Sequence, residues 1–130
     1  MVLDTDVASS SFKGRLAPRL AARLVGRQPL LAFVTIGELA KWTAVRNWGP
    51  RNRASLEAWL LDKPVIPGSR PIAVIWGELS AAAIRRARPR PVNDTWIAAC
   101  CLAYDVPLAT LNTKDYEDFA SHDGLKLITP

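Results

Sequence analysis

Soft metal ligands are scarce in this sequence. It has one histidine, His122, and two cysteines, Cys100 and Cys101, which are adjacent. That spacing fits neither a zinc site nor a disulfide framework, which excludes structural zinc and a stapled secreted scaffold. Buried free thiols are the expectation, and His122, in a polar late segment, reads as an ordinary surface residue. No apolar run reaches the roughly 18 residues of a membrane-spanning helix. The opening Met1-Val2-Leu3-Asp4 turns acidic at once and lacks a signal-peptide pattern. The expected location is the cytoplasm, with no membrane partner. Repeats, low-complexity tracts and long linkers are also missing.

What remains is a chain of 130 residues, 49% of them hydrophobic, enough for one domain spanning residues 1–130 with its own core. Seventeen Lys and Arg against twelve Asp and Glu leave a net charge of +5. A small basic domain favours anionic partners such as nucleic acid or an acidic peptide, and charge alone does not choose between them.

Short apolar runs alternate with helical spacing. Met1–Leu3 reads as a first strand. Phe12 to Val25, with Leu16, Leu20 and Leu24 at i, i+4, i+8, predicts a helix ended by Gly26. Leu30–Val34 is a continuous apolar run, the mark of a strand buried on both faces. Helices are predicted from Thr35 to about Asn47 and from about Arg51 to Leu61, separated by Gly49-Pro50. Lys63–Pro71 is irregular with a short strand at Val65-Ile66. A helix from Ile72 to Arg86, an Asn93-capped helix from Asp94 to Tyr104, a strand at Pro107–Thr110, a short helix between Asn112 and Phe119 and a last strand at Lys126–Ile128 complete the pattern. Such alternation predicts an α/β fold with a mainly parallel sheet.

Open α/β sheets bind ligands at the carboxyl ends of their strands. Asp4 follows the first strand, with Asp6 two residues on. Thr35 and Glu38 follow the second. Asn112 and Asp115 follow the Pro107–Thr110 strand, and Asp94 opens the helix that leads into it. Asp4, Glu38, Asp94 and Asp115 are therefore candidates for one edge of the sheet. Gathered carboxylates raise one another's pKa, and a fold keeps such a cluster mainly when a cation neutralises it. Oxygen ligands without His or Cys suit Mg²⁺ or Mn²⁺. Each acid also has a purely structural explanation. Thr35-x-x-Glu38 fits a helix capping box. Asp94 beside Asn93 suits a helix N-terminus. Asn112-x-x-Asp115 fits a cap and its third residue, and Asp4 a simple turn.

In order along the chain, Val2-Leu3-Asp4-Thr5-Asp6, Thr35-Ile36-Gly37-Glu38-Leu39, Asn93-Asp94-Thr95-Trp96-Ile97-Ala98-Ala99 and Leu108 through Tyr116 resemble the PIN-domain ribonucleases, and most of all the VapC-type toxins of bacterial type II toxin–antitoxin pairs. The resemblance runs from Asp4 to about Leu127. It implies a three-layer α/β/α fold with a mainly parallel sheet of four to five strands. It also implies a Mg²⁺ or Mn²⁺ site in which Asp4, Glu38 and Asp94 correspond to the core acids and Asp115 to a fourth, more variable one. Asn112 and Asp6 line the site on this reading. Asp6 departs from the Asn or small polar residue frequent there, and Tyr116 from a frequent Phe. The implied activity is hydrolysis of RNA phosphodiester bonds by metal-activated water, with no protein nucleophile. The implied partners are RNA, a cognate antitoxin and a second copy of the chain.

Arg85, Arg86, Arg88 and Arg90 lie just before Asp94 and are candidates for RNA phosphate contacts; Arg15, Arg19, Arg23 and Arg27 form a second helical stripe. Trp42, Trp48 and Trp59 fall where the family places antitoxin and dimer contacts, with core packing as the alternative. Trp96 is a candidate for stacking on a base. Glu78 reads as a surface helix residue, available for a salt bridge. Two rival functions stay open. Asp4-Thr5-Asp6-Val7 also resembles the opening motif of haloacid-dehalogenase-like phosphatases, with Asp4 as nucleophile, although the downstream motifs are weak. A non-catalytic basic adaptor, its acids serving only as caps, is the other.

Overall fold

A computed structural model describes residues 1–130. The elements in order are β1 (Val2–Leu3), α1 (Thr5–Phe12), α2 (Pro18–Leu24), β2 (Leu31–Ala32), α3 (Phe33–Val45), α4 (Pro50–Leu60), β3 (Val65–Ile66), α5 (Arg70–Arg85), α6 (Val92–Tyr104), β4 (Leu108–Ala109), α7 (Thr113–Asp123) and β5 (Leu127–Ile128). All strand pairs are parallel: β1 with β4, β4 with β5, and β2 with β3. A parallel bridge between Val2 and Leu30 joins the two sets, through N–H groups of Leu3 to the Leu30 carbonyl at 2.9 Å and of Leu30 to the Met1 carbonyl at 2.8 Å. The resulting order is β3-β2-β1-β4-β5. The chain leaves β1 towards one side and later returns on the other, which makes the carboxyl end of β1 the switch point of the sheet.

Strand alternation divides the core. Val2, Ala32 and Leu108 face one layer, where they pack with Ile72 and Leu79 of α5, Ile97 to Cys101 of α6, and Tyr116 and Phe119 of α7. Their neighbours Leu3, Leu31 and Ala109 face the opposite layer, with Val7 and Ala8 of α1 and Leu20 of α2. Successive side chains of a strand point to opposite faces. Three layers follow directly: α1, α2 and part of α3–α4 on one face, α5 to α7 on the other. Cys100 and Cys101 are buried free thiols, and burial raises the pKa of both, Cys100 to about 11.

Several element boundaries differ from the sequence reading, each for an identifiable reason. The helix expected over Phe12–Val25 is shorter, Pro18–Leu24, and a separate helix precedes it. Phe12 ends α1, Gly14 takes a left-handed conformation (φ +67°), and Pro18 opens α2 at its first turn. Only Arg19 and Arg23 of the second arginine stripe lie on α2, so no continuous stripe forms. The apolar run Leu30–Val34 spans a strand end and a helix start, because the chain turns into α3 at Phe33; periodicity cannot separate the two in so short a run. The α6 helix starts at Val92 with Pro91 before it, so Asn93 lies in its first turn rather than capping it. The α7 helix runs past Phe119 to Asp123, where Gly124 (φ +82°) stops it. Glu78 and His122 are exposed, as expected, and Glu78 makes no salt bridge.

The left-handed turn at Gly14 lets the chain reverse between α1 and α2. A Cβ there meets no neighbour within 4 Å, so only backbone strain opposes a side chain. Gly14→Ala is expected to lower stability by about 1 kcal/mol, read as a reduced urea midpoint with an unchanged slope. An unchanged midpoint would show that this turn has no left-handed requirement.

Candidate active site

Asp4 stands at the switch point. It ends β1 and caps α1 in extended conformation (φ −60°, ψ 154°). Oδ1 accepts the backbone N–H of Thr5 at 2.8 Å and the hydroxyl of Tyr116 at 3.1 Å; Oδ2 accepts the hydroxyl of Thr110 at 3.0 Å. Only 6% of the residue is exposed. Burial pushes its carboxyl up to about 6, against the three donors that favour the anion, with the Asp6 charge adding to the rise. Asp94, in the first turn of α6, accepts the same Tyr116 hydroxyl at 3.2 Å. Its pKa is also raised, first by burial, then by the neighbouring Asp115, with a smaller push from Glu38; Tyr116 and Arg90 oppose this.

Glu38, on α3, accepts the Thr5 hydroxyl at 2.7 Å, and that hydroxyl also lies 3.0 Å from Thr35 Oγ1. Asn112 donates its amide to Asp6 at 2.7 Å, while its backbone N–H is taken by Thr110 Oγ1 at 3.0 Å. Of the structural explanations, the Thr35–Glu38 capping box fails, whereas Asp94 does open α6 and Asn112 does precede α7 with Asp115 in its first turn. Ala32, not Thr35, is the N-cap of α3, and Thr35 is fully buried inside the helix. Neither α6 nor α7 has a side-chain cap bond. Among the four acids, Asp4 alone caps a helix.

No salt bridge reaches Asp4, Glu38, Asp94 or Asp115; every ion pair in the molecule lies elsewhere. The site is thus an uncompensated set of oxygen donors from β1, α3, α6 and α7. The arrangement does not by itself place three of these acids as a finished metal shell. Hard cations such as Mg²⁺ do not require one: they are commonly held by one or two carboxylates and keep several waters. Asp4 and Asp94, linked through one phenol, fit that pattern.

The flanking residues divide. Arg88 donates Nε to Asp118 at 2.8 Å, Arg90 lies 3.6 Å from the same carboxylate and Arg86 lies 3.7 Å from Asp123. Of the arginine cluster only Arg85 has no acidic partner. Trp96 is stacked on Trp76 with ring centres 4.9 Å apart and meets Phe33 edge-on at 5.7 Å; it is half-buried and lines a surface cleft with Glu38 and Lys41. Trp42 is 46% exposed, with the Arg46 guanidinium 4.4 Å from its ring centre. Trp48, in the turn before α4, packs on Phe12, as does Trp59. A groove of about 410 Å³ runs from Thr5, Asp6 and Asn112 past Lys13 to Trp42 and Trp48; Trp59 does not line it. The sequence reading passed over Thr5, Thr110 and the hydroxyl of Tyr116, whose partners are distant in sequence.

With this geometry in place, the comparisons with known proteins converge. The PIN domain family model matches residues 1–123, and the chain belongs to that family. It is 30% identical over 129 residues to ribonuclease VapC5 of Mycobacterium tuberculosis, covering 95% of this chain and 87% of that protein. The fold is shared with VapBC2 from Rickettsia felis bound to a promoter DNA fragment (TM-score 0.84, 19% identity, 99% of this chain and 97% of that one). It is shared too with DNA-bound VapBC from Salmonella typhimurium (TM-score 0.83, 21% identity, 98% and 96%).

The raised Asp4 pKa sets a pH dependence. The fold favours neutral Asp4, so its contribution to stability is complete below its unfolded value near 4 and is lost as pH rises through about 6. In metal-free protein, the stability of wild type relative to Asp4→Asn should fall by about 3 kcal/mol between about pH 4 and pH 7.5, measured by urea denaturation in EDTA. A difference that stays constant over that range would mean that Asp4 titrates normally.

Proposed function

We propose that this chain is a Mg²⁺- or Mn²⁺-dependent endoribonuclease, formed as a single domain, that acts in the cytoplasm as the toxin of a VapBC-type pair. The observation that carries the reading is the uncompensated acid set at the switch point of the sheet, in a PIN-domain chain whose relative is a ribonuclease VapC5. Asp4 and Asp94 would hold the metal, with Glu38 and Asp115 flanking it. The metal, when bound, supplies positive charge to the phosphate and lowers the pKa of a water in its shell. The chain's own part is to hold and orient. Thr5, Thr110 and Tyr116 keep Asp4 in one orientation, and the Thr5 hydroxyl, itself beside Thr35 Oγ1, does the same for Glu38. Asp6, held by Asn112, borders the site and adds negative charge.

No side chain is poised as a nucleophile. Both oxygens of Asp4 are occupied by donors, which removes support from the phosphatase reading. The thiols are buried, and His122 is exposed at the far end of α7. The adaptor reading needs acids that only cap helices, and Asp94 and Glu38 do not. No helix is long and apolar enough to cross a membrane. RNA phosphates would meet cations that are free to receive them. Lys13, Lys41 and Arg46 are exposed and unpaired around the site, whereas Arg86, Arg88 and Arg90 are drawn to α7, leaving Arg85 as the free member of that cluster.

The antitoxin would place a guanidinium against the acids and lay an amphipathic segment along the groove bordered by Trp42 and Trp48. Trp59, turned onto Phe12 with Lys63 Nζ 4.0 Å from its ring centre, would support that wall from behind. The toxin would be a homodimer within the complex.

Purified protein should cut a structured RNA with Mg²⁺ or Mn²⁺ and stop in EDTA. Asp94→Asn should abolish cleavage with the circular dichroism spectrum unchanged. Full cleavage in EDTA would remove the metal mechanism, and a wild-type rate from Asp94→Asn would reduce Asp94 to a helix-start residue.

Expression of the chain alone should arrest growth, and co-expression of its cognate antitoxin should restore it. Normal growth on expression of soluble, folded protein would overturn the toxin assignment while leaving the ribonuclease one to the cleavage assay.

A further inference from the structure

We infer that Tyr116 is a positioning residue that sets the spacing of Asp4 and Asp94 through one shared hydroxyl. The inference rests on the metal-dependent reading above and concerns how this chain holds the two acids ready.

The ring of Tyr116 is 1% exposed and belongs to the main core cluster, with Phe119 one turn further along α7 at 6.2 Å between ring centres. Core packing therefore fixes where its oxygen lies. From that fixed point the hydroxyl reaches Oδ1 of Asp4 at 3.1 Å and Oδ1 of Asp94 at 3.2 Å. Three elements, β1, α6 and α7, thus meet at one atom. Thr110 and the Thr5 N–H orient Asp4 but touch no other acid. Asp94 has no other side-chain hydrogen-bond partner in the molecule, so Tyr116 alone restrains its carboxylate.

Proton counting shows why the arrangement is receptive. A phenol carries one O–H. It donates fully to one carboxylate at a time, which leaves the other oxygen facing a lone pair. Two acids that share one donor are under-compensated, and a divalent cation held by both carboxylates would supply the missing positive charge. A phenylalanine ring would fill the same core space but would leave Asp94 free to rotate and both carboxylates to separate by repulsion.

The test is a calorimetric titration of Mn²⁺, without RNA, into full-length wild type, Tyr116→Phe and Thr110→Val. Tyr116→Phe should weaken Mn²⁺ binding about tenfold. It should also lower kcat at saturating metal while leaving KM for RNA unchanged, because the hydroxyl points at the acids. Thr110→Val removes a donor from Asp4 alone and should have the smaller effect. Mn²⁺ binding by folded Tyr116→Phe within about twofold of wild type would overturn the inference. Equal losses from the two variants would also overturn it, because they would assign the effect to Asp4 alone. Wild-type protein that binds no Mn²⁺ would overturn the metal-dependent reading and this inference with it, whereas binding matched by the variant overturns only the inference.

Discussion

A carboxylate buried at the centre of a parallel sheet's open edge must find donors or stay neutral, and the geometry of the site follows from how Asp4 meets that demand. Its donors come from three places: the first amide of α1, the residue that follows β4, and the first turn of α7. Each is brought there by the sheet order. Placing β1 between β2 and β4 puts Asp4 beside Thr110, and the turn from β4 into α7 returns Tyr116 over the same edge. The strand order and the hydrogen bonds are thus one arrangement seen at two scales. The donors do not cancel the burial cost. A carboxyl raised to about 6 carries a penalty of about 3 kcal/mol when ionised, a large share of the 5–15 kcal/mol that typically holds a domain together.

Positive charge is distributed to leave that penalty standing. The chain carries a net +5, yet the arginines nearest to Asp94 in sequence are spent on Asp118 and Asp123 of α7. The Arg86 and Arg90 pairs are largely buried but long, at 3.7 and 3.6 Å, and the Arg88 pair is exposed on its arginine side, where an ion pair contributes little to stability. Their effect is geometric: they tie the segment leading into α6 to the helix that carries Asp115 and Tyr116. Two of the three helices that contribute acids to the site, α6 and α7, are therefore clamped outside it, and the acids inside it make no salt bridge.

Asp4, Glu38 and Asp115 were legible in the sequence because each falls within a few residues of the end of an apolar run, and Asp94 because it opens a helix. Met1–Leu3 stops at Asp4, and the strand at Pro107–Thr110 is followed by Asn112 and Asp115. A strand that ends at a carboxylate carries its chemistry in adjacent residues. The supporting hydroxyls were not legible, because their partners are remote. Thr5 meets Thr35 across 30 positions, and Tyr116 meets Asp4 across 112. Tyr116 looked like a mild replacement for Phe because its ring does what Phe would do in the core, and only its oxygen is new. The α1 helix was missed for a different reason: Ser9-Ser10-Ser11 gives no apolar period, and the leucine spacing that begins at Leu16 belongs to α2, which Gly14 and Pro18 set apart from α1. Thr35 and Asn93 have cap-like neighbours in sequence, yet the true helix starts lie one or two residues earlier, at Phe33 and Val92.

On the proposed reading, a metal ion and an antitoxin guanidinium seek the same uncompensated charge. Each would relieve the same burial penalty, so each would stabilise the fold in proportion to its own affinity for it. A site that neutralised its own acids with Arg90 or Arg88 would be more stable when empty and would have less to gain from either ligand. Leaving Asp4 and Asp94 joined by a neutral phenol keeps the free energy of ionisation available to whatever cation arrives. Activity and inhibition would then draw on one reservoir, and occupation by one cation would have to exclude the other.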